Sequence, residues 1–251
     1  MTSAVIVSTA RTPIGRAYRG SFNDTQAQAL AAHALGAALA RSGVNAAEVD
    51  DVIFGCALQQ GSTGFNVGRQ AALRAGMPVS VPGMTVDRQC GSGLMAIATA
   101  AKQIICDGMT IAAAGGVESI SLVQNEKANF YRAFDPWLNE HVPALYMSML
   151  ETAEIVAEKY GISRAAQDAY ALSSQQRTAR AQSDGTFDNE IVAMDVEMSV
   201  TDKATGETSK KAVRASRDEG ARADTTAESL AALQPVFKGG QRLREGRFIT
   251  A

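Results

Sequence analysis

Residues 84–95 read Met84-Thr85-Val86-Asp87-Arg88-Gln89-Cys90-Gly91-Ser92-Gly93-Leu94-Met95. A short β-favouring run, Gly83–Val86, leads towards Cys90. The stretch Leu94–Ile105 (LMAIATAAKQII) leaves it, and it is apolar nearly all round, the pattern of a buried helix. A strand that feeds a helix through Cys-Gly-Ser-Gly puts the cysteine at or near a helix amino terminus. Unpaired backbone N–H groups and the helix dipole at that place favour an anionic sulfur. The same groups can stabilise an oxyanion on an attacked carbonyl. Gly91 and Gly93 leave open backbone for a close-approaching thioester, as in other strand–nucleophile–helix elbows. From spacing alone a second reading stays open: an ordinary buried cysteine ahead of a glycine-softened helix start.

Outward from this segment, strands and helices alternate. Ala4–Ser8 (AVIVS) lies in a first strand over residues 1–10, broken by Pro13 and Gly15. Asn23 or Asp24 is the expected cap of a helix over residues 25–41, whose stripe is Leu30, Ala31, Ala34, Leu35, Ala38 and Leu39, with Gly43 as terminator. Val52–Phe54 is a buried strand, a second helix starts near Asn66, and Thr110–Ala114 is a further strand ended by Gly115 and Gly116. Such alternation predicts an α/β layered core. Residues 121–147 have no clear period. Two helices follow. In the first, Ala153, Val156, Ala157 and Tyr160 share a face; the second is capped by Ser163 and reaches about residue 182. Ile191–Val200 and Lys211–Ala215 then read as two strands joined near Gly206. The expected division is a core over residues 1–120 and an inserted layer over 121–251.

The chain has 251 residues, 46% of them hydrophobic, and a net charge of -2. Nothing global recruits nucleic acid or an anionic membrane. No apolar run is long enough to span a bilayer, and residues 1–10 lack the charged start of a signal peptide. The three cysteines, Cys56, Cys90 and Cys106, form no metal or redox motif. They suit a reducing, cytoplasmic setting better than an exported disulfide scaffold. Cys56 and Cys106 are expected to be small core residues. His33 and His141 are expected to be structural or exposed.

Several segments together carry a resemblance. Gln89–Leu94 (QCGSGL) resembles the acylated-cysteine motif of thiolases. Arg11-Thr12-Pro13-Ile14-Gly15 resembles the family's opening, and Asn66–Ala71 (NVGRQA) is similar to its N-x-x-R-Q-A helix. Gly115–Ser121 (GGVESIS) is similar to its G-G-M-E-S-M-S segment. Thr152-Ala153-Glu154 and Tyr160–Arg164 (YGISR) resemble helices of its loop domain, and Leu233–Phe237 (LQPVF) its L-R-P-x-F stretch. The likeness covers essentially the whole chain. It implies a thiolase-like layered fold, represented by the amino-terminal half with its inserted, CoA-binding loop domain.

The resemblance further implies that Cys90 attacks an acyl-CoA thioester and becomes acylated, its own N–H helping to form an oxyanion hole. Arg222 and Ser229 match CoA-contacting positions, Phe237 lies beside them, and Met149 matches a methionine bordering the acyl pocket. The bland alternatives are a solvated charge for Arg222, a helix-surface hydroxyl for Ser229, a core aromatic for Phe237 and a gap-filling side chain for Met149. Where the family often has His-Met-Gly, this chain has Ser148-Met149-Leu150, which puts the acyl-chain preference in doubt. Coenzyme A is implied as a substrate, with no resident cofactor or metal, in a cytoplasmic homo-oligomer of fatty acid metabolism. The family's second half, with its Gly-His-Pro histidine and Cys-x-Gly cysteine, is absent from these residues. The expectation is therefore an incomplete enzyme with an apolar face left open, inactive alone in a thiolysis assay. Two alternatives belong to other classes: a non-catalytic acyl-CoA-binding or scaffold fragment, and a decarboxylating ketosynthase relative. Gly91-Ser92-Gly93 and the long insertion favour thiolase over the latter.

Overall fold

A computed structural model describes residues 3–250; Met1, Thr2 and Ala251 lie outside that range. The chain forms two compact units. One runs to Asn129 and takes in Asp188–Gly220; the other holds Phe130–Phe187 and the residues from Ala221 onward. This division differs from the boundary expected at residue 120, because the late strand pair joins the first unit.

In the first unit the helix α1 (Ala27–Ser42) is followed by strand β1 (Asp51–Gly55), helix α2 (Val67–Arg74), strand β2 (Gly83–Val86) and helix α3 (Ser92–Cys106). Strand β3 (Ala112–Gly116) and the short helix α4 (Ile120–Val123) come next. The strands form a parallel sheet in the order β2-β1-β3, with Ile53 opposite Met84 on one side and Ala114 on the other. All five residues of β1 are buried, as a central parallel strand requires. Its side chains alternate between faces. Val52 and Phe54 pack with Ala31 and Leu35 of α1 and Ala71 and Ala72 of α2. Ile53 points the other way, against Ala96 and Ala100 of α3. Burying each such large side chain contributes roughly 1.5–3 kcal/mol.

Three sequence expectations shift. First, α1 is not capped by Asn23 or Asp24. Its cap position is Gln26, which makes no side-chain bond to the helix. Asn23 instead brackets Ser199, accepting from its N–H at 2.9 Å and donating to its carbonyl at 2.8 Å. Second, Gly115 and Gly116 are the last two residues of β3 rather than a break after it. Third, residues 3–10 form no strand. Only Arg11 bridges, to Ile191, while Val5, Ile6 and Val7 stay 73%, 74% and 72% exposed. The outer edge of β3 is out of their reach across an apolar groove of about 900 Å³, lined by Val5–Val7 on one side and Ala112–Val117 on the other.

The antiparallel pair β4 (Met194–Thr201) and β5 (Thr208–Ala215) turns at Gly206, whose φ is 74°. A latch of charges ties its flanks to residues 11–21. Arg11 holds Asp218 with both terminal nitrogens, at 2.7 and 2.9 Å, and Glu190 through Nε at 2.8 Å. Asp218 also accepts from the Ile14 N–H at 2.8 Å. Glu219 accepts from the backbone N–H of Arg16 at 2.8 Å and of Ser21 at 3.0 Å, and from the Ser21 hydroxyl. Burial opposes ionisation of Asp218, but the Arg11 guanidinium outweighs it and holds the carboxyl below its usual range.

In the second unit, helix α5 (Pro136–His141) and a single 3-10 turn at Pro143–Tyr146 occupy the stretch that lacks a period. Helices α6 (Met149–Lys159) and α7 (Arg164–Ser183) follow, then the one-turn helix α8 (Ala227–Ala231). Ser163 caps α7 as expected, accepting from the Ala166 N–H at 3.2 Å. The buried face of α6 is not the expected one. Val156 and Tyr160 are exposed, while Glu151 and Glu154 are 1% and 2% exposed and sit with Ala157 inside. Each carboxylate gathers three backbone donors: Glu151 those of Gln241, Arg242 and Leu243, and Glu154 those of Arg247, Phe248 and Ile249. Segment 241–249 pairs with residues 236–240 mainly through its carbonyls and the Gly246 N–H, and the two carboxylates take six of its remaining amides.

Gly55 faces the start of α3 with no room to spare: a Cβ there would lie 2.1 Å from the carbonyl carbon of Ser92. Gly55→Ala is expected to destabilise the chain by about 3 kcal/mol or more. Gly36→Ala, inside α1 with nothing within 4 Å of the added carbon, is expected to stabilise it by roughly 0.5–1 kcal/mol. Urea unfolding of both variants measures the opposite signs.

Burial raises the cost of ionising Glu154, yet its backbone donors prevail and lower its pKa. Its stabilising effect is then complete above the ordinary glutamate value of about 4.3 and is lost as pH falls through the lower folded value. Glu154→Gln is therefore expected to lower the melting temperature at pH 7. The gap to wild type should close as the pH is taken below 4, and thermal melts across that range test it.

Candidate active site

The site is built at the carboxyl ends of the parallel strands, the end where open α/β sheets place their ligands. After β2 the chain turns through Asp87–Gly91 into α3. Two helix residues lie directly on sheet backbone there. Beside Gly55 packs Ser92, and a Cβ on Gly116 would come within 3.1 Å of the Gly93 Cα. Only glycine on the strand side lets the helix start come this close. Cys90 sits two residues ahead of the first helical residue and is exposed. The first-turn N–H groups of Gly93 and Leu94 meet no hydrogen-bond partner among the described residues, so they remain available to an anion.

The turn is held from within. Gln89 has a φ of 49°, a left-handed value that is unfavourable for a residue with a side chain. Its N–H donates to Asp87 Oδ1 at 2.7 Å. Its carbonyl accepts from the Ser92 N–H at 3.0 Å and the Ser92 hydroxyl at 2.6 Å. The Ser92 Oγ in turn accepts from the Arg88 N–H at 2.8 Å.

The three cysteines separate clearly. Cys56 is buried, and burial together with the nearby Glu118 carboxylate pushes its thiol up to about 11. An anion there is strongly disfavoured. Cys106, expected in the core, is instead exposed in the last turn of α3; α3 is not the buried helix expected, since its buried stripe runs through Ser92, Ala96 and Ala100 and leaves Leu94, Ile97 and Ile105 exposed. Cys106 is remote from the helix start and its free amides. Cys90 alone combines exposure with that position.

Residues that the sequence singled out without a role turn out to be spent on backbone around β1 and β2. Asn66, at a φ of 57°, caps α2 by accepting from the Arg69 N–H at 3.3 Å and donates to the Gly83 carbonyl at 2.9 Å. Arg69 donates to the Val79 carbonyl at 2.9 Å. Gln70 donates to the carbonyls of Gly64 and Phe65, each at 2.8 Å. Glu118 accepts from the Ala57 N–H at 2.9 Å and fixes the loop that leaves β1. His33 is tied to the Ala193 carbonyl at 3.1 Å, and His141 stacks on Trp137; both are structural, as expected.

The other candidate residues belong to the second unit. Met149 is the first residue of α6 and is 78% exposed. Ser148, which stands where the family often has a histidine, caps that helix by accepting from the Glu151 N–H at 3.2 Å. Arg222 is anchored through its backbone, donating to Gln175 Oε1 at 2.8 Å. Its exposed guanidinium has no acidic partner among the described residues. Ser229 is exposed but closes the cap of α8, its hydroxyl donating to the Thr226 carbonyl at 2.9 Å and accepting from the Thr226 N–H at 3.1 Å. Phe237 is only 5% exposed. Gly240 and Gly246 crowd it so closely that a Cβ on either would fall within 3 Å of its side chain. It is a core ring.

Residues 4–242 match the family described as "Thiolase, N-terminal domain". The chain is 43% identical to a 3-ketoacyl-CoA thiolase of Bacillus subtilis over 240 residues, covering 94% of this chain and 60% of that protein. It is 42% identical to a beta-ketoadipyl-CoA thiolase of Acinetobacter baylyi, covering 95% and 61%. The crystal structure of the Bacillus anthracis acetyl-CoA acetyltransferase superposes with a TM-score of 0.76 at 36% identity, over 96% of this chain and 60% of that one. The chain thus spans about 60% of the length of these relatives. With its α/β layers, its glycine-packed elbow and this agreement over nearly all its residues, the chain belongs to the thiolase family.

Proposed function

We propose that the chain supplies the nucleophilic half of an acyl-CoA C-acyltransferase. Acyl groups pass between coenzyme A and Cys90, in thiolysis of a 3-ketoacyl-CoA or in condensation of acetyl-CoA. One observation carries the reading: of the three cysteines only Cys90 is exposed at the start of a helix, α3, at the carboxyl end of the sheet.

The step follows from that position. The Cys90 sulfur anion attacks the thioester carbonyl and a carbon–sulfur bond forms. The carbonyl electron pair moves onto oxygen, where the N–H of Cys90 and the first-turn amides of α3 stabilise it. Collapse of this adduct expels the sulfur of CoA as a thiolate, leaving an acyl-Cys90 thioester. Gly91 and Gly93 keep the approach to that carbon free of side chains. The proton of Cys90 has to be taken by a base. Neither histidine of the described chain stands free for the task, so in this reading the base comes from the part of the relatives' length that the chain does not span.

Arg222 and Ser229 are proposed to hold CoA, the first as a cation for phosphate, the second through the lone pair its cap leaves unused. Met149 borders the acyl group. Phe237, a core ring, is proposed to lie beside the CoA-holding residues. The same reading makes the protein a cytoplasmic homo-oligomer of fatty acid metabolism that acts on acyl-CoA rather than on nucleic acid or a membrane. It is supported by the near-neutral net charge and by a few unpaired cysteines. Among the described residues no helix is long and apolar enough to cross a membrane.

Incubation with acetyl-CoA at about pH 9, where the thiol ionises without that base, followed by intact-mass measurement, is expected to show one acetyl adduct that is absent from Cys90→Ser. Binding of CoA with no adduct in either protein would favour an acyl-CoA-binding scaffold instead. Arg222→Ala is expected to weaken CoA binding about tenfold, the loss of one charge-assisted hydrogen bond, and to leave the melting temperature unchanged. Titration calorimetry with CoA measures the first effect and a thermal melt the second.

A further inference from the structure

We infer that Ser92 is a positioning residue for Cys90: its hydroxyl holds the left-handed backbone of Gln89 in place and thereby keeps the cysteine at the tip of the turn. The inference rests on the reading of Cys90 as the nucleophile. Ser92 is 4% exposed, so a ligand cannot reach it while Gly55 lies against it. Its hydroxyl is nonetheless fully engaged. It accepts from the Arg88 N–H at 2.8 Å and donates to the Gln89 carbonyl at 2.6 Å, so it joins the residue before the strained one to the strained one itself. Cys90 follows directly.

The geometry has a clear division of labour. Gln89 at a φ of 49° adopts a left-handed conformation unfavourable for a residue with a side chain, and something must hold it there. Asp87 secures its N–H and Ser92 its carbonyl. Ser92 is the better anchored of the two, because its own backbone is pressed between the α3 start and the sheet at Gly55. Removal of the hydroxyl leaves the Arg88 N–H without its acceptor and the Gln89 carbonyl with the Ser92 N–H as its one remaining donor, so the turn is held more loosely. Gln89 can then return to a right-handed conformation, which swings Cys90 away from the first-turn amides. A glycine at position 89 suffers no such penalty, so it should make the hydroxyl unnecessary.

Peptide-resolved mass spectrometry of iodoacetamide labelling, followed from pH 5 to 9, tests this on the full chain. Ser92→Ala is expected to slow labelling of Cys90 about tenfold or more and to change its pH profile, with Cys106 labelling unchanged as the internal standard. Adding Gln89→Gly to Ser92→Ala should restore most of the Cys90 rate. If Ser92→Ala does not fold, the double variant should, since the same link is being relieved. Wild-type labelling of Cys90 in Ser92→Ala would overturn the proposal. So would a slow rate, or a failure to fold, that Gln89→Gly does not repair. The acetyl adduct is scored in parallel. If labelling behaves as stated and no adduct forms in any variant, Ser92 positions the thiol and it is the acyl-transfer reading that falls.

Discussion

Everything in the first unit depends on one close approach: helix α3 begins directly against the backbone of two strands. Gly55 and Gly116 present no side chain, and Ser92 and Gly93 move into the space. A methyl group at either strand position would push the helix start outward. The turn from Asp87 to Gly91 would then lose its footing. The exposure of Cys90 and the open amides of Gly93 and Leu94 follow from this packing rather than from any contact Cys90 makes itself. The site is placed by backbone, and for that reason its determinants are glycines on neighbouring strands, far from it in sequence.

The residues that surround the elbow show how much of a family signature is scaffolding. Asn66, Arg69 and Gln70 carry polar groups suited to chemistry, yet each is spent on a backbone carbonyl or N–H near the ends of β1 and β2. Arg11 closes a bidentate pair with Asp218, 207 residues away in sequence. Glu151 and Glu154 take the backbone N–H groups of residues 241–243 and 247–249. Asn66, Arg69, Gln70, Glu151 and Glu154 thus stand in for missing backbone partners, because buried backbone N–H and C=O groups need them.

Much of the architecture was legible in the sequence. The strand–cysteine–helix reading, the buried run of β1, the Ser163 cap and the turn at Gly206 all rest on local signals, and local geometry follows them. The misreadings share one cause. The cap of α1, the inner face of α6, the site of Cys106 and the pairing of residues 3–10 are decided by groups distant in sequence. Asn23 is drawn off by Ser199. The inner face of α6 is chosen by unsatisfied amides of residues 241–249, which outweigh an apolar stripe. Residues 3–10 have β-favouring side chains but no edge within reach, and a strand exists only with a neighbour. At the site, Cys90 could be found from its motif. Ser92, Gly55 and Gly116 could not, since a serine that folds back on its own turn and a glycine that makes room for a helix look like any others in a sequence.

The central claim is that Cys90, placed by this packing, takes the acyl group. A crystal structure of the chain after exposure to acetyl-CoA at about pH 9, where the thiol ionises without a base, tests it most directly. The account predicts an acetyl group bonded to the Cys90 sulfur, its carbonyl oxygen turned towards the N–H groups at the start of α3. An acetyl group on Cys56 or Cys106, or a bound CoA thioester left intact beside an unmodified Cys90, would contradict it.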